Sequence, residues 1–180
     1  MAGSICEGCR TGAMEVKEII MILFEKLNMV LFDFDNTLCI HEKYNKSGSS
    51  DQYNADVIAG KDCWETGKPN IHIKKFIESC QNNNIKTGLM SATMSFKHME
   101  GKNNWVQSNY EIQLENYCVG KSDDKLVMLI AISNAFNWDR HTILLVDDDW
   151  NIVKSAASAG FQAATPMEVV NFMTSQTEDC

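Results

Sequence analysis

Three short apolar-rich runs in this chain each stop at a polar cluster, and that recurrence limits its possible folds more than any other feature. MVLF (29–32) runs into Asp33, IKTGLM (85–90) into Ser91-Ala92-Thr93, and TILLV (142–146) into Asp147-Asp148-Asp149. Such runs, bounded by polar residues, suit strands covered on both faces. Between them lie segments with helical spacing. Ile73, Phe76, Ile77 and Cys80 follow i, i+3, i+4, i+7, a long apolar stretch fills 123–136, and Ile152, Val153, Ala156 and Ala157 precede Gly160 as a helix stop. Pro69 is expected to open the first of these helices, Asn82-Asn83-Asn84 to end it, and Ser122 to cap the second. YCV (117–119) and FQAA (161–164) read as shorter strands, and Thr165-Pro166-Met167-Glu168 as a capping box with Pro at the first helical position. Strands alternating with helices define an α/β chain, a Rossmann-like three-layer sandwich around a mostly parallel central sheet. Ligands of such sheets bind beyond the carboxyl ends of the strands. The three polar clusters are therefore expected on one edge.

The chain has 180 residues, 44% of them hydrophobic, which fits one domain with a sizeable core. A tail over 1–13 is expected to precede a single domain over 14–180, in which 14–27 (MEVKEIIMILFEKL) forms an added helix. Segment 39–69 is polar and rich in Ser, Asn and Gly, and reads as an irregular flap or lid. Tyr44, Tyr53 and Trp64 are its large aromatics, which either select substrate or pin the flap to the core. The stretch 94–111 is weakly patterned. A net charge of −8 argues against a nucleic-acid or anionic-membrane surface, since both call for a basic footprint. It leaves small phosphorylated ligands open, because a bound cation inverts the local field. Seven cysteines, an odd number, with no secretory signal, point to reduced thiols and a cytoplasmic protein. Cys6 and Cys9 have metal-knuckle spacing but no second pair completes a zinc site. His41, His72, His98 and His141 have no ligand spacing among themselves and receive no role. Trp150 either lines the site or packs beneath the sheet edge.

Asp33, Asp35, Asp147 and Asp148 converge if their strands are neighbours. Carboxylates brought together repel and desolvate one another unless a cation sits between them. An all-oxygen set of this kind suits Mg²⁺. Lys125 falls in the first turn of its helix, where a cation opposes the macrodipole, so its charge is better explained by a carboxylate or phosphate facing it. Lys121, just ahead of the helix, is the alternative.

LFDFDNTL (31–38), LMSAT (89–93), a lysine heading a helix, and LLVDDDWNIVKSAASAGF (144–161) resemble, in order, the four motifs of the haloacid dehalogenase-like phosphohydrolase superfamily. The resemblance spans about residues 29–164. It implies a Mg²⁺-dependent phosphatase acting on phosphomonoesters through an aspartyl phosphate. Asp33 would be the nucleophile, and Asp35 the general acid and base, offering also its backbone carbonyl to the metal. Thr37, Ser91, Thr93 and Lys125 would surround the phosphate, while Asp147 and Asp148 would hold Mg²⁺ with Asn151 in support. A carboxylate nucleophile needs no base at neutral pH. The acid must keep a proton for the leaving alcohol, which calls for a raised pKa at Asp35. An acid at position 35 favours phosphate-ester hydrolysis over carbon–halogen cleavage, since dehalogenase members lack it. The spacing of the motifs leaves room for a small cap or none. A small phosphorylated substrate is expected, with nucleotides and nucleic-acid ends left open. A receiver domain shares these residue types but places its acidic pair on the first strand, the reverse of the order here. A catalytically silent interaction module of the same fold is the remaining alternative, although every motif position carries a competent residue.

Overall fold

All four residues of the strand Met29–Phe32 (β1) are buried, and they feed two separate cores. Val30 and Phe32 point into one, with Ile73, Phe76, Ile77 and Val169, while Met29 and Leu31 point into the other, with Leu129, Ile132 and Ala156. A strand with both faces covered is the centre of a three-layer sandwich, and burying each such side chain is worth ~1.5–3 kcal/mol. The structure is a computed structural model that describes residues 26–47, 50–61 and 63–175. The expected tail over 1–13, Cys6 and Cys9, and most of the helix expected over 14–27 lie outside the described residues.

After β1 come β2 (Cys39–Ile40), helices α1 (Glu42–Ser47) and α2 (Ser50–Ile58), and β3 (Lys68–Pro69). Then follow α3 (Ile71–Asn82), β4 (Lys86–Leu89), α4 (Phe96–Tyr110), β5 (Glu115–Asn116) and α5 (Asp124–Phe136). The chain continues through β6 (Ile143–Val146), α6 (Trp150–Ser158), β7 (Gln162–Ala164) and α7 (Pro166–Ser175). The main sheet is parallel throughout, in the order β5-β4-β1-β6-β7. Phe32 is in register with both Leu89 and Val146, so the residues just beyond them, Asp33 and Asp147 among them, leave the sheet side by side. The Asp33 amide donates to the Val146 carbonyl at 2.8 Å and continues that register by one residue.

Several local expectations are corrected. Segment 39–69 is not irregular: β2 and β3 pair antiparallel at its base and two helices fill the span between them. Buried Asp56 organises it, accepting from Lys43 (3.2 Å), Tyr44 (3.1 Å), Gln52 (2.8 Å) and Lys61 (2.7 Å), an arrangement that leaves no apolar periodicity to read. Pro69 belongs to β3, and Asn70 caps α3 instead, accepting from the Ile73 amide. The weakly patterned 94–111 is a 15-residue helix whose buried positions are His98, Lys102, Val106 and Tyr110. That spacing is helical, but two of the four residues are polar. The strand expected at 117–119 begins at Glu115–Asn116, and its pairing runs on through the expected residues, with the Tyr117 amide donating to the Leu89 carbonyl at 2.8 Å and the Val119 amide to the Ser91 carbonyl at 3.0 Å. Ser122 gives α5 a backbone carbonyl rather than a side-chain cap. The capping box at Thr165 and Glu168 is present, with both reciprocal bonds made, and Gly160 ends α6 at a φ of +91°. Among the described residues no helix is long and apolar enough to cross a membrane.

Candidate active site

The loop after β1 projects its two carboxylates in different directions. Asp33 meets the Lys125 ammonium at 2.8 Å, and that ammonium also contacts Asp147 at 2.6 Å. Lys125 is buried in the first turn of α5, whereas Lys121 is exposed, so Lys125 is the lysine facing the carboxylates. Burial alone would lower the proton affinity of Lys125, but the charges on Asp33 and Asp147 outweigh it and raise the pKa. One cation against three carboxylates leaves negative charge in excess. Burial and the neighbouring Asp33 push the Asp147 carboxyl up, with Lys125 opposing. Asp148 is pushed up to about 6, by loss of water on its inner side and by Asp33, with the Asn36 side chain opposing at 3.2 Å.

Carboxylate oxygens of Asp33, Asp147 and Asp148 lie within 4.8 Å of one another. The buried Oδ1 of Asn36, on the same loop, has no hydrogen-bond partner among the described residues. An all-oxygen trio with unneutralised charge beside an unused acceptor fits a hard divalent cation such as Mg²⁺. Asn36 itself adopts a left-handed φ of 56° to turn the loop, a conformation asparagine tolerates better than most residues.

Asp35 faces the other way. Its Oδ1 meets His41 Nε2 at 2.8 Å and accepts from the Tyr53 hydroxyl at 2.9 Å, while its Oδ2 accepts from Lys102 Nζ at 2.6 Å. Its carboxylate is therefore not in the trio with Asp33, Asp147 and Asp148. The raised pKa expected for it is also corrected. Burial pushes the carboxyl up, but Lys102 and His41 outweigh burial and hold it well below the usual carboxylate range. Tyr53, beside this charge, is pushed far above the ordinary phenol range by burial and by Asp35.

Ser91 is buried at the end of β4 and accepts from Lys102 at 2.8 Å. Thr37 is fully buried, with a hydroxyl that has no hydrogen-bond partner among the described residues. The Thr93 hydroxyl donates to the Val119 carbonyl at 3.4 Å, so it ties the β4 loop to the segment after β5. Asn151 is exposed in the first turn of α6, its amide donating to the Asp149 cap at 2.8 Å. Trp150 is 59% exposed, so it is not buried beneath the sheet edge.

The sequence reading assigned no role to Lys102, His41 or His98, and all three stand at or next to Asp35. His98 lies 3.5 Å from the Tyr53 hydroxyl and stacks on Trp64 with ring centres 5.4 Å apart. Trp64 also packs edge-on against Phe34 at 5.8 Å, and Tyr44 is tied to Asp56, so these two flap aromatics pin the flap while Tyr53 reaches the site. Burial lowers the His98 pKa to about 4, with Lys102 adding to the effect. Only the period-four spacing of His98, Lys102, Val106 and Tyr110 offered a signal for this face.

The fold is shared with known structures. A haloacid dehalogenase-like family hydrolase from Xanthomonas campestris matches with a TM-score of 0.59 at 10% identity, over 83% of this chain and 91% of that one. The phosphatase-domain part of a Bacteroides fragilis protein, solved with Mg, matches with a TM-score of 0.56 at 13% identity, over 81% and 38% of the two chains. A Bacteroides thetaiotaomicron enzyme of the same family, solved with magnesium and inorganic phosphate, gives 0.51 at 14% identity, over 77% and 93%. No family model matches the sequence, and no curated protein matches it. The chain has the haloacid dehalogenase-like fold, and its structural neighbours include phosphatases of that family.

Proposed function

We propose that this protein is a divalent-metal-dependent phosphatase that hydrolyses small phosphomonoesters through an aspartyl phosphate on Asp33. The observation that carries the reading is the pairing of Asp33 with Lys125 beside Asp147 and Asp148, at the edge where three parallel strands end. Asp33, Asp147 and Asp148, with the Asp35 backbone carbonyl, would hold Mg²⁺, whose charge offsets that of the phosphoryl oxygens when bound. Lys125 keeps the Asp33 carboxylate oriented and offsets its charge as a dianionic phosphate approaches. An Asp33 oxygen forms a bond to phosphorus as the bond from phosphorus to the leaving oxygen breaks, and Asp35 supplies that oxygen's proton. Water then attacks the phosphorus, Asp35 takes a proton from it, and Asp33 is released with phosphate. The resting contacts of Asp35 favour its ionised, base form; negative charge arriving beside it favours proton uptake. The Ser91 hydroxyl, which accepts from Lys102, would donate to a phosphoryl oxygen. The inserted flap over the strand ends supports a small substrate, and the free thiols of Cys63, Cys80 and Cys118 support a reducing, cytoplasmic setting.

The test is hydrolysis of para-nitrophenyl phosphate by the purified chain with Mg²⁺, with EDTA, and in the Asp33→Asn variant. Turnover with Mg²⁺ that EDTA abolishes and the variant lacks is the expected result. Undiminished turnover in EDTA, or in the variant, rules the reading out.

A further inference from the structure

Lys102 is a fully buried lysine on α4, a helix that carries none of the motif residues. Its ammonium has three hydrogens. Three acceptors take them: Asp35 Oδ2 at 2.6 Å, Ser91 Oγ at 2.8 Å and the Ala92 carbonyl at 3.1 Å. The same nitrogen stands 5.1 Å from the centre of the Phe34 ring, on the residue between the two loop aspartates. It therefore has no hydrogen left for a substrate and acts through the groups it holds. Those groups come from different strands, Asp35 from the loop after β1 and Ser91 from the end of β4.

We propose that Lys102 is a positioning residue that locks Asp35 and Ser91 into one unit, aiming the Asp35 carboxyl at the leaving oxygen. This deepens the phosphatase reading and rests on it. Lys102 fixes Oδ2 from the core, while His41 and Tyr53 fix Oδ1 from the flap side, so the carboxyl plane is held at both ends. Lysine only donates, so Ser91 must accept from it, and the Ser91 hydroxyl hydrogen is turned away from Lys102. Gly101 makes the placement possible: a Cβ there would collide with the Trp64 indole, so its absence lets the flap lie against α4 next to Lys102. The site thus has two buried lysines with separate tasks. Lys125 serves the nucleophile and the metal side, and Lys102 serves the leaving-group side.

Leaving-group dependence separates this from a merely structural role. General acid assistance is worth ~10²–10⁴-fold where the leaving oxygen needs a proton, and little where the leaving group departs readily as an anion. Ser91, in contrast, would bind phosphoryl oxygens of any substrate alike. Rates of parent and Lys102→Met protein are compared on glycerol phosphate and on dinitrophenyl phosphate, with Mg²⁺. The ratio of alkyl to aryl rates is expected to fall at least ~30-fold in the variant, within the range for a misplaced general acid. An unchanged ratio overturns the proposal while leaving the phosphatase reading intact.

Lys102→Met leaves a carboxylate without its cation, which works against folding, so the Asp35→Asn/Lys102→Met pair, which removes both charges, is compared with Asp35→Asn alone. Adding the lysine change is expected to leave the already reduced ratio within ~3-fold, because no acid remains to be positioned. A further fall in the ratio overturns the proposal, as it assigns Lys102 a role independent of Asp35. If the parent turns over neither ester, the phosphatase reading fails and this inference fails with it.

Discussion

Asp33 and Asp35 are two residues apart on one loop, yet they belong to electrostatically opposite regions. On the Asp33 side one ammonium serves Asp33 and Asp147, Asp148 adds a third carboxylate, and Asp147 and Asp148 hold their protons more tightly than usual. On the Asp35 side one carboxylate is surrounded by Lys102, His41 and Tyr53 and holds its proton less tightly than usual. The first region lacks positive charge and the second has enough. A cation is therefore expected on the first side only; residues two apart on an extended strand would share a face, so it is the turn from Phe34 to Asn36, with Asn36 at a left-handed φ of 56°, that separates the two.

The largest effect is expected from removing the shared cation. Lys125→Met leaves two buried carboxylates facing each other, and breaking a buried pair in this way costs ~3–5 kcal/mol. Urea unfolding in EDTA measures it, and added Mg²⁺ should restore part of the loss. A variant as stable as the parent would show that the carboxylates are already solvated and that the charge excess is illusory.

A smaller effect of opposite sign is expected at Asp148. Its carboxyl is raised to about 6 in the folded chain, so its proton stabilises the fold at low pH and that contribution disappears as pH rises towards 6. Above that, ionised Asp148 opposes folding in the absence of metal. Asp148→Asn should therefore raise the neutral-pH melting point in EDTA, with a gain in stability of less than ~1 kcal/mol for so exposed a group, and abolish stabilisation by Mg²⁺. A lower melting point in EDTA would reverse the assignment.

Asp35 and His98 give the mirror image. Asp35 has a depressed folded pKa, so its stabilising contribution is present above the ordinary carboxylate value and is lost as pH falls. His98, lowered to about 4, is buried neutral, and stability falls as pH drops from the ordinary histidine range towards that value. Asp35→Asn should flatten the acid limb of a stability–pH curve below about pH 4, and His98→Gln the part between ~4 and ~6.5. Curves superimposable on the parent's would remove the distinction between the two regions. The smallest effect is expected at Trp150, where replacement by Ala should change unfolding stability within ~0.5 kcal/mol, as for other exposed positions.

The Asp33 side was largely legible in the sequence and the Asp35 side was not. Asp33, Asp147 and Ser91 each follow an apolar run, so a strand pattern alone places them at one edge, and Lys125 stood out because it opposes its helix dipole. The partners of Asp35 come from segments whose folding depends on polar contacts. His41 follows a two-residue strand, Tyr53 rides on a helix with almost no amphipathic signal, and Lys102 occupies a buried position that an apolar pattern would reserve for Leu or Met. The flap was misread for the same reason, since Asp56 organises it rather than an apolar stripe. A buried lysine is visible only once its acceptors are known, and these lie 67, 11 and 10 residues away.

The central claim is that Asp33 is the residue that takes the phosphoryl group. Rapid acid quench of the Mg²⁺-loaded chain during turnover of a radiolabelled phosphomonoester tests it most directly. The account predicts protein-bound label that survives acid, is released by hydroxylamine as an acyl phosphate, and is absent from Asp33→Asn. Hydroxylamine-labile label of equal amount on the Asn variant would contradict it.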